Sequence, residues 1–304
     1  MIVDNKKAQK CKRGKKTILN TYYSNYLNQF KKWMQRLGYA KTTTKTYTLQ
    51  LTHFFKYLQE EQVPTIYHIK QQHISNYNTA LHLQDISRSY ILGKLKVIKS
   101  FSEYLEKTQN YKLTFKDLMV EKTVTIERII LTKKEIKTLF TSLENTAEDI
   151  RNNAILHLYY SCGLRSNEAI KVRCKDIDYH KQLIYVVPGK NYHSRYVPIS
   201  TSVAKDLKFY EQYTRPLLNP NGKYFIVSAY TDEMSTQVIA RYFKRIKEKA
   251  CITKNITLHG LRHSIATHLL QQGMDLEIIG QFLGHKSLEA TQIYVRMSNE
   301  YLND

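Results

Sequence analysis

The stretch His259-Gly260-Leu261-Arg262-His263-Ser264-Ile265-Ala266-Thr267-His268-Leu269 decides how the rest of the chain is read. It has no proline, and its apolar residues recur at helical spacing over residues 259–272. His259 and Arg262 are three apart, so on a helix they share a face. An imidazole donor beside a fixed cation suits negative charge developing on a phosphoryl group. His259 and His263 also have the i, i+4 spacing of a zinc-binding helix. That motif needs a glutamate directly after the first histidine, and Gly260 stands there instead. The reading therefore takes no metal, and His263 and His268 are expected to be structural.

Three further motifs flank this helix. Cys162-Gly163-Leu164-Arg165-Ser166-Asn167-Glu168 puts an arginine after a helix-stopping glycine, at the start of a helix expected over 165–172. A guanidinium there can grip phosphate oxygens, with Glu168 one turn on as its natural partner. Leu183-Ile184-Tyr185-Val186-Val187 and Tyr196-Val197-Pro198-Ile199 read as two strands of a hairpin whose turn carries Gly189-Lys190-Asn191. Lys190 is there a candidate proton donor. Leu283-Gly284-His285 follows a helix expected over 275–283, and Tyr294 comes nine residues after His285. A phenol ionises near pH 10, so a nucleophilic tyrosine needs cations and donors beside it. Arg165, Arg262 and the histidines are the candidates. With 24 tyrosines in the chain, Tyr294 is not singled out by its identity.

The chain has 304 residues, a length that suggests two domains. Hydrophobic residues make up 42%, which excludes a wholly disordered chain. No apolar run approaches the roughly 18 residues of a membrane span. The first residues lack the apolar core of a signal peptide, so a cytoplasmic, nucleoid-associated protein is expected. Cys11, Cys162, Cys174 and Cys251 are scattered, which fits a reducing compartment. Net charge is +21, of which +14 lies in residues 1–130. Such a field attracts polyanions, nucleic acid foremost.

Residues 1–19 form a basic arm, with seven basic residues and one acid among the first 16. Residues 20–107 read as a small four-helix domain. Tyr22, Tyr26, Phe30, Trp33 and Leu37 mark its first helix, which Gly38 stops, and Tyr47, Leu51, Phe54, Phe55 and Leu58 mark the second. A weaker third helix spans 70–82. Ser87 caps the fourth, with Ile91, Leu95, Ile98, Phe101 and Leu105 inward and Lys94, Lys96 and Lys99 off that face. Residues 108–130 read as a linker. Thr132 and Glu135 form a capping box that opens a mainly helical domain with one small sheet over 131–304.

Taken in order, Arg165, Lys190, His259-x-x-Arg262, Gly284-His285 and Tyr294 resemble the tyrosine recombinase (phage integrase) family, most of all its Xer-like members and the integrases of mobile elements. The resemblance is specific from Leu131 to Arg296 and architectural over residues 20–107. It implies a SAM-like helical core-binding domain and a mixed α/β catalytic domain, gripping double-stranded DNA as a clamp. It further implies that Tyr294 attacks the scissile phosphate, Arg165 and Arg262 hold its non-bridging oxygens, and His259 and His285 donate to it. Lys190 protonates the leaving 5′-oxygen, and Glu168 orients the site from behind. No cofactor, metal or ATP is implied. The working unit would be a homotetramer on two DNA sites, passing through a Holliday junction, with a partner recombinase or a DNA-bending protein as further candidates. The tail after Tyr294 would dock on a neighbouring protomer.

The sequence departs from the family wording at Ser166, Asn167 and Asn191. His193 and Arg195 follow Lys190 as candidate co-donors. Two rivals share parts of this pattern: a type IB topoisomerase-like enzyme that relaxes DNA, and a non-catalytic DNA-binding accessory protein.

Overall fold

Asn20 precedes the first aromatic run, and its side chain accepts the Tyr23 N–H to open α1 (Thr21–Arg36). The computed structural model describes residues 18–84, 86–115, 129–187, 194–219 and 221–284. The chain divides into two units, Met1–Ile126 and Glu127–Asp304, each with its own core.

In the first unit α1 is followed by α2 (Lys41–Glu60), α3 (Gln71–His82) and α4 (Arg88–Gln109). Leu51, Phe54, Phe55 and Leu58 of α2 are fully buried, as their spacing predicts, against Phe101 and Leu105 of α4. Ser87 caps α4 by accepting the Tyr90 N–H. Two expectations need correction. The buried stripe of α1 runs through Tyr23, Phe30 and Met34, whereas Tyr22, Tyr26 and Trp33 are half-buried and Leu37 is exposed. Lys94 does not lie off the inner face of α4: it is buried, with its ammonium 3.0 Å from His53 Nδ1 and 3.4 Å from the Tyr77 hydroxyl.

The second unit opens with the expected capping box. Glu135 N–H donates to Thr132 Oγ1, and Thr132 N–H donates to Glu135 Oε2. From there run α5 (Lys133–Thr141) and α6 (Ala147–Leu156), which continues as a π-helical turn through His157–Ser161. Next come α7 (Ser166–Ala169), β1 (Ile177–Asp178), β2 (Leu183–Val186) and β3 (Arg195–Pro198). α8 (Thr201–Phe209) runs through a second π turn into α9 (Arg215–Leu218), followed by α10 (Thr236–Lys249), α11 (Leu258–Gln271) and α12 (Leu276–Leu283). The strands form one antiparallel sheet in the order β1-β2-β3, with Val186 opposite Arg195 at the end nearest the hairpin loop. This is the mainly helical architecture with a small sheet that the sequence leads one to expect.

The expected helix over 165–172 is a single turn, Ser166–Ala169. A helix this short adds little dipole potential at Arg165. Among the described residues, no helix is long and apolar enough to cross a membrane.

Candidate active site

Burial places α11 at the centre of the second unit. Leu258, Leu261 and Ala266 are buried in it, and Ser264 Oγ accepts the buried Leu131 N–H, tying the start of the unit to this helix. His268 is buried and lies 2.9 Å from the Tyr160 hydroxyl. Burial, helped by nearby Lys133, pushes its imidazole below the ordinary histidine range. His268 is thus packed and partnered within the fold, in keeping with a structural histidine. His259 stands exposed in the first turn of α11, with its ring 4.5 Å from that of buried His263 in an edge-on arrangement. Among the described residues, no cluster of three or more His, Cys, Asp or Glu could hold a metal ion.

Arg262 points inward from α11, with only 1% of the residue exposed. It donates to the Gly163 carbonyl and, at 2.8 Å, to the Leu283 carbonyl. Gly163 can take this position because its φ is +58° and it has no side chain. A Cβ there would come within 2.9 Å of Leu283 Cδ2 and 3.0 Å of Phe282 Cε1. The loop that leads into Arg165 is thus pressed onto the end of α12.

Glu168 forms the floor of the site, at 4% exposure. Its Oε1 accepts from Arg165 Nη1 at 2.9 Å and Arg195 Nη1 at 3.1 Å. Its Oε2 accepts from the Arg165 N–H and from Arg195 Nη2, both at 2.9 Å. Arg262 Nη1 lies 4.0 Å from the same oxygen. Burial alone would raise this carboxyl's pKa, but the bonds and charges of Arg195 and Arg165 outweigh it and hold it below the usual glutamate range.

The arginines also meet the end of α12. Arg195 Nε donates to the Phe282 carbonyl, Arg262 Nη2 to Leu283 and Arg165 Nη2 to Gly284. The last carbonyls of a helix lack intrahelical partners and carry its negative pole, so three guanidinium groups suit them.

Of the residues expected in the site, the structure brings together Arg165, Glu168 and Arg262, with His259 on the same helix as Arg262. Lys190, His285 and Tyr294 lie outside the described residues, as do His193 and Asn191. Arg195 corrects the sequence reading. Its guanidinium is engaged by Glu168 and Phe282 rather than free to act as a proton donor. The clue was available: on a strand, Arg195 shares a face with Val197, which is buried.

A helical unit rich in lysine is joined in one chain to a unit that gathers Arg165, Arg195 and Arg262 about buried Glu168, an arrangement of cations suited to an anionic phosphate group. The model described as the phage integrase family matches residues 130–300, and that described as the phage integrase N-terminal SAM-like domain matches residues 27–109. The chain belongs to the phage integrase family, and it is a tyrosine site-specific recombinase. Tyrosine recombinase XerC of Oceanobacillus iheyensis is 29% identical over 286 residues, covering 92% of this chain and 93% of that protein. XerC of Staphylococcus aureus is 26% identical over 286 residues, covering 93% and 94%. The fold is shared with the XerH recombinase bound to its difH substrate (TM-score 0.71, 21% identity, 90% of this chain and 81% of that one). It is also shared with the lambda integrase tetramer bound to a Holliday junction (TM-score 0.67, 17% identity, 87% and 77%).

Proposed function

We propose that this recombinase cuts and rejoins duplex DNA at a specific site by transferring a strand end to Tyr294. The Tyr294 oxygen forms a bond to the scissile phosphorus while the bond to the 5′-oxygen breaks. The phenol proton passes to His259, and the leaving 5′-oxygen takes a proton from Lys190. A 3′-phosphotyrosyl link remains. Attack by a 5′-hydroxyl of a second duplex reverses these steps, so bond energy is retained and no ATP is used. Arg165 and Arg262 neutralise the non-bridging oxygens, and His259 and His285 donate to the phosphate.

The observation that carries this reading is the common anchorage of Arg165 and Arg262. Both donate to consecutive carbonyls at the end of α12, immediately before His285 on the way to Tyr294. On this reading the phosphate grip and the chain that delivers the nucleophile form one assembly. In this reading the working unit is a homotetramer on two DNA sites, acting at the nucleoid in the cytoplasm. A Holliday junction is its intermediate, and the tail after Tyr294 docks on a neighbouring protomer. Integration, excision or inversion of a mobile element and resolution of chromosome dimers all use this chemistry.

The test uses a pool of nicked duplexes with randomised arms, 5′-labelled on the strand that would join the protein. Covalent adducts surviving detergent are captured and sequenced, and the selected duplex becomes the defined substrate. Wild type is expected to give adduct and Tyr294→Phe none. Equal, empty lanes would leave a DNA-binding accessory protein. Adduct together with relaxation of supercoiled plasmid, but without two-site recombination, would indicate a topoisomerase-like enzyme.

A further inference from the structure

Arg195 has no part in the chemistry proposed above, yet all three of its guanidinium nitrogens are engaged beside Glu168. Its two terminal nitrogens form a fork on the carboxylate, and its Nε takes the Phe282 carbonyl. Its side chain is only 9% exposed. We propose that Arg195 is a positioning residue that locks three parts of the site into one geometry: the base of the Lys190 loop, the Arg165 guanidinium, and the end of α12 that leads to His285 and Tyr294.

The argument is one of shared partners. Arg195 is the first residue of β3, paired with Val186 across the mouth of the hairpin loop. Fixing its side chain fixes the place where that loop returns to the sheet. Each Glu168 oxygen receives one bond from an Arg195 nitrogen and one from Arg165, from its guanidinium at Oε1 and its backbone N–H at Oε2, so the carboxylate ties the Arg195 fork to both the side chain and the backbone of Arg165. Ionised carboxylates accept at about four sites, and these four bonds fill them. Without Arg195 half of that set is unmade, and the Arg165 guanidinium donates to a carboxylate no longer held from its other side.

The third link is the helix end. Gly284 has a φ of +67°, and a Cβ there would lie 2.8 Å from Arg195 Nη1. The backbone at the last turn of α12 is therefore seated directly on this guanidinium. Lysine carries the charge but lacks the fork and the Nε bond, so it cannot make the three contacts together.

The inference builds on the function proposed above, and its test separates the two. The substrate is the selected duplex, made with either oxygen or sulfur at the bridging 5′ position of the scissile phosphate. A thiolate leaves without a proton, so sulfur relieves the loss of a proton donor but not a misplaced phosphate. Arg195→Lys and Arg195→Gln are expected to bind DNA as wild type does. Both should form adduct more slowly by about tenfold to a hundredfold, as a displacement near 1 Å would cause. The deficit should be the same on oxygen and on sulfur, whereas Lys190→Ala is rescued by sulfur.

Sulfur rescue of the Arg195 variants would overturn the proposal and make Arg195 a donor. Wild-type rates in both would overturn it by making the residue idle. Melting curves qualify each protein. Arg195→Lys keeps the charge that offsets buried Glu168, and loss of fold in both variants would reduce Arg195 to a stability residue, again against the proposal. If wild type itself gives no adduct, the proposed function fails and not this inference alone.

Discussion

A carboxylate with 4% exposure has lost nearly all its hydration, and Glu168 stays ionised only because Arg195 and Arg165 stand against it. Its pKa is therefore lower in the folded protein than in the unfolded chain. With a depressed folded pKa, the unfolded state takes up its proton first as pH falls. The stabilisation is complete above the unfolded value of about 4.3 and disappears as pH drops through the folded value. Glu168→Gln removes the charge and leaves buried guanidinium groups uncompensated, a loss of about 3–5 kcal/mol at neutral pH. Thermal melts from pH 7 down to pH 3 check both points. Wild type should lose more stability than Glu168→Gln across the acid range. Parallel curves would assign the acid sensitivity to other groups.

At the scale of elements, the loop from Cys162 to Arg165 and the end of α12 are held face to face through Gly163. Alanine there meets two obstacles: a left-handed backbone and a Cβ pressed into Leu283 and Phe282. The first costs about 1–2 kcal/mol and the second about 1–3 kcal/mol. Gly163→Ala should therefore unfold at clearly lower urea. Below that transition it should still bind DNA but form adduct slowly, because Arg165 and the α12 end no longer meet. A variant with normal adduct rate would show that this packing is incidental to the site. Element positions were legible in the sequence because caps and apolar spacing are local: Ser87 and Thr132 each start a helix where they stand. Phase was less legible in α1, where Tyr22, Tyr26 and Trp33 are amphipathic and the stripe can turn by one residue. Lys94 was misplaced because its partners, His53 and Tyr77, come from other helices, which periodicity does not see. Arg165, His259 and Arg262 were legible as motifs. The sharing of Glu168 by Arg195 was not, since it joins residues 27 positions apart through the fold.

The charge of the whole molecule sets how it finds DNA. Net charge is +21, and residues 1–130 carry +14 of it, with +6 from the seven basic residues and one acid among the first 16. Each phosphate neutralised by a cation releases condensed counterion, so log affinity falls with log salt at a slope of about −0.9 per contact. If the basic arm touches the backbone, deleting residues 1–16 should make this slope shallower by about 2–6, depending on how many of its cations engage. Affinity should fall most at low salt and converge with full-length protein at high salt, where such contacts are screened. The adduct rate on saturating DNA should stay within about twofold, because no residue of the phosphate site is removed. Titrations of a labelled duplex from 50 to 300 mM salt measure the slope. A change smaller than about one contact would mean that the arm makes no net phosphate contact, leaving the +7 of residues 131–304 and the four-helix unit to supply the field.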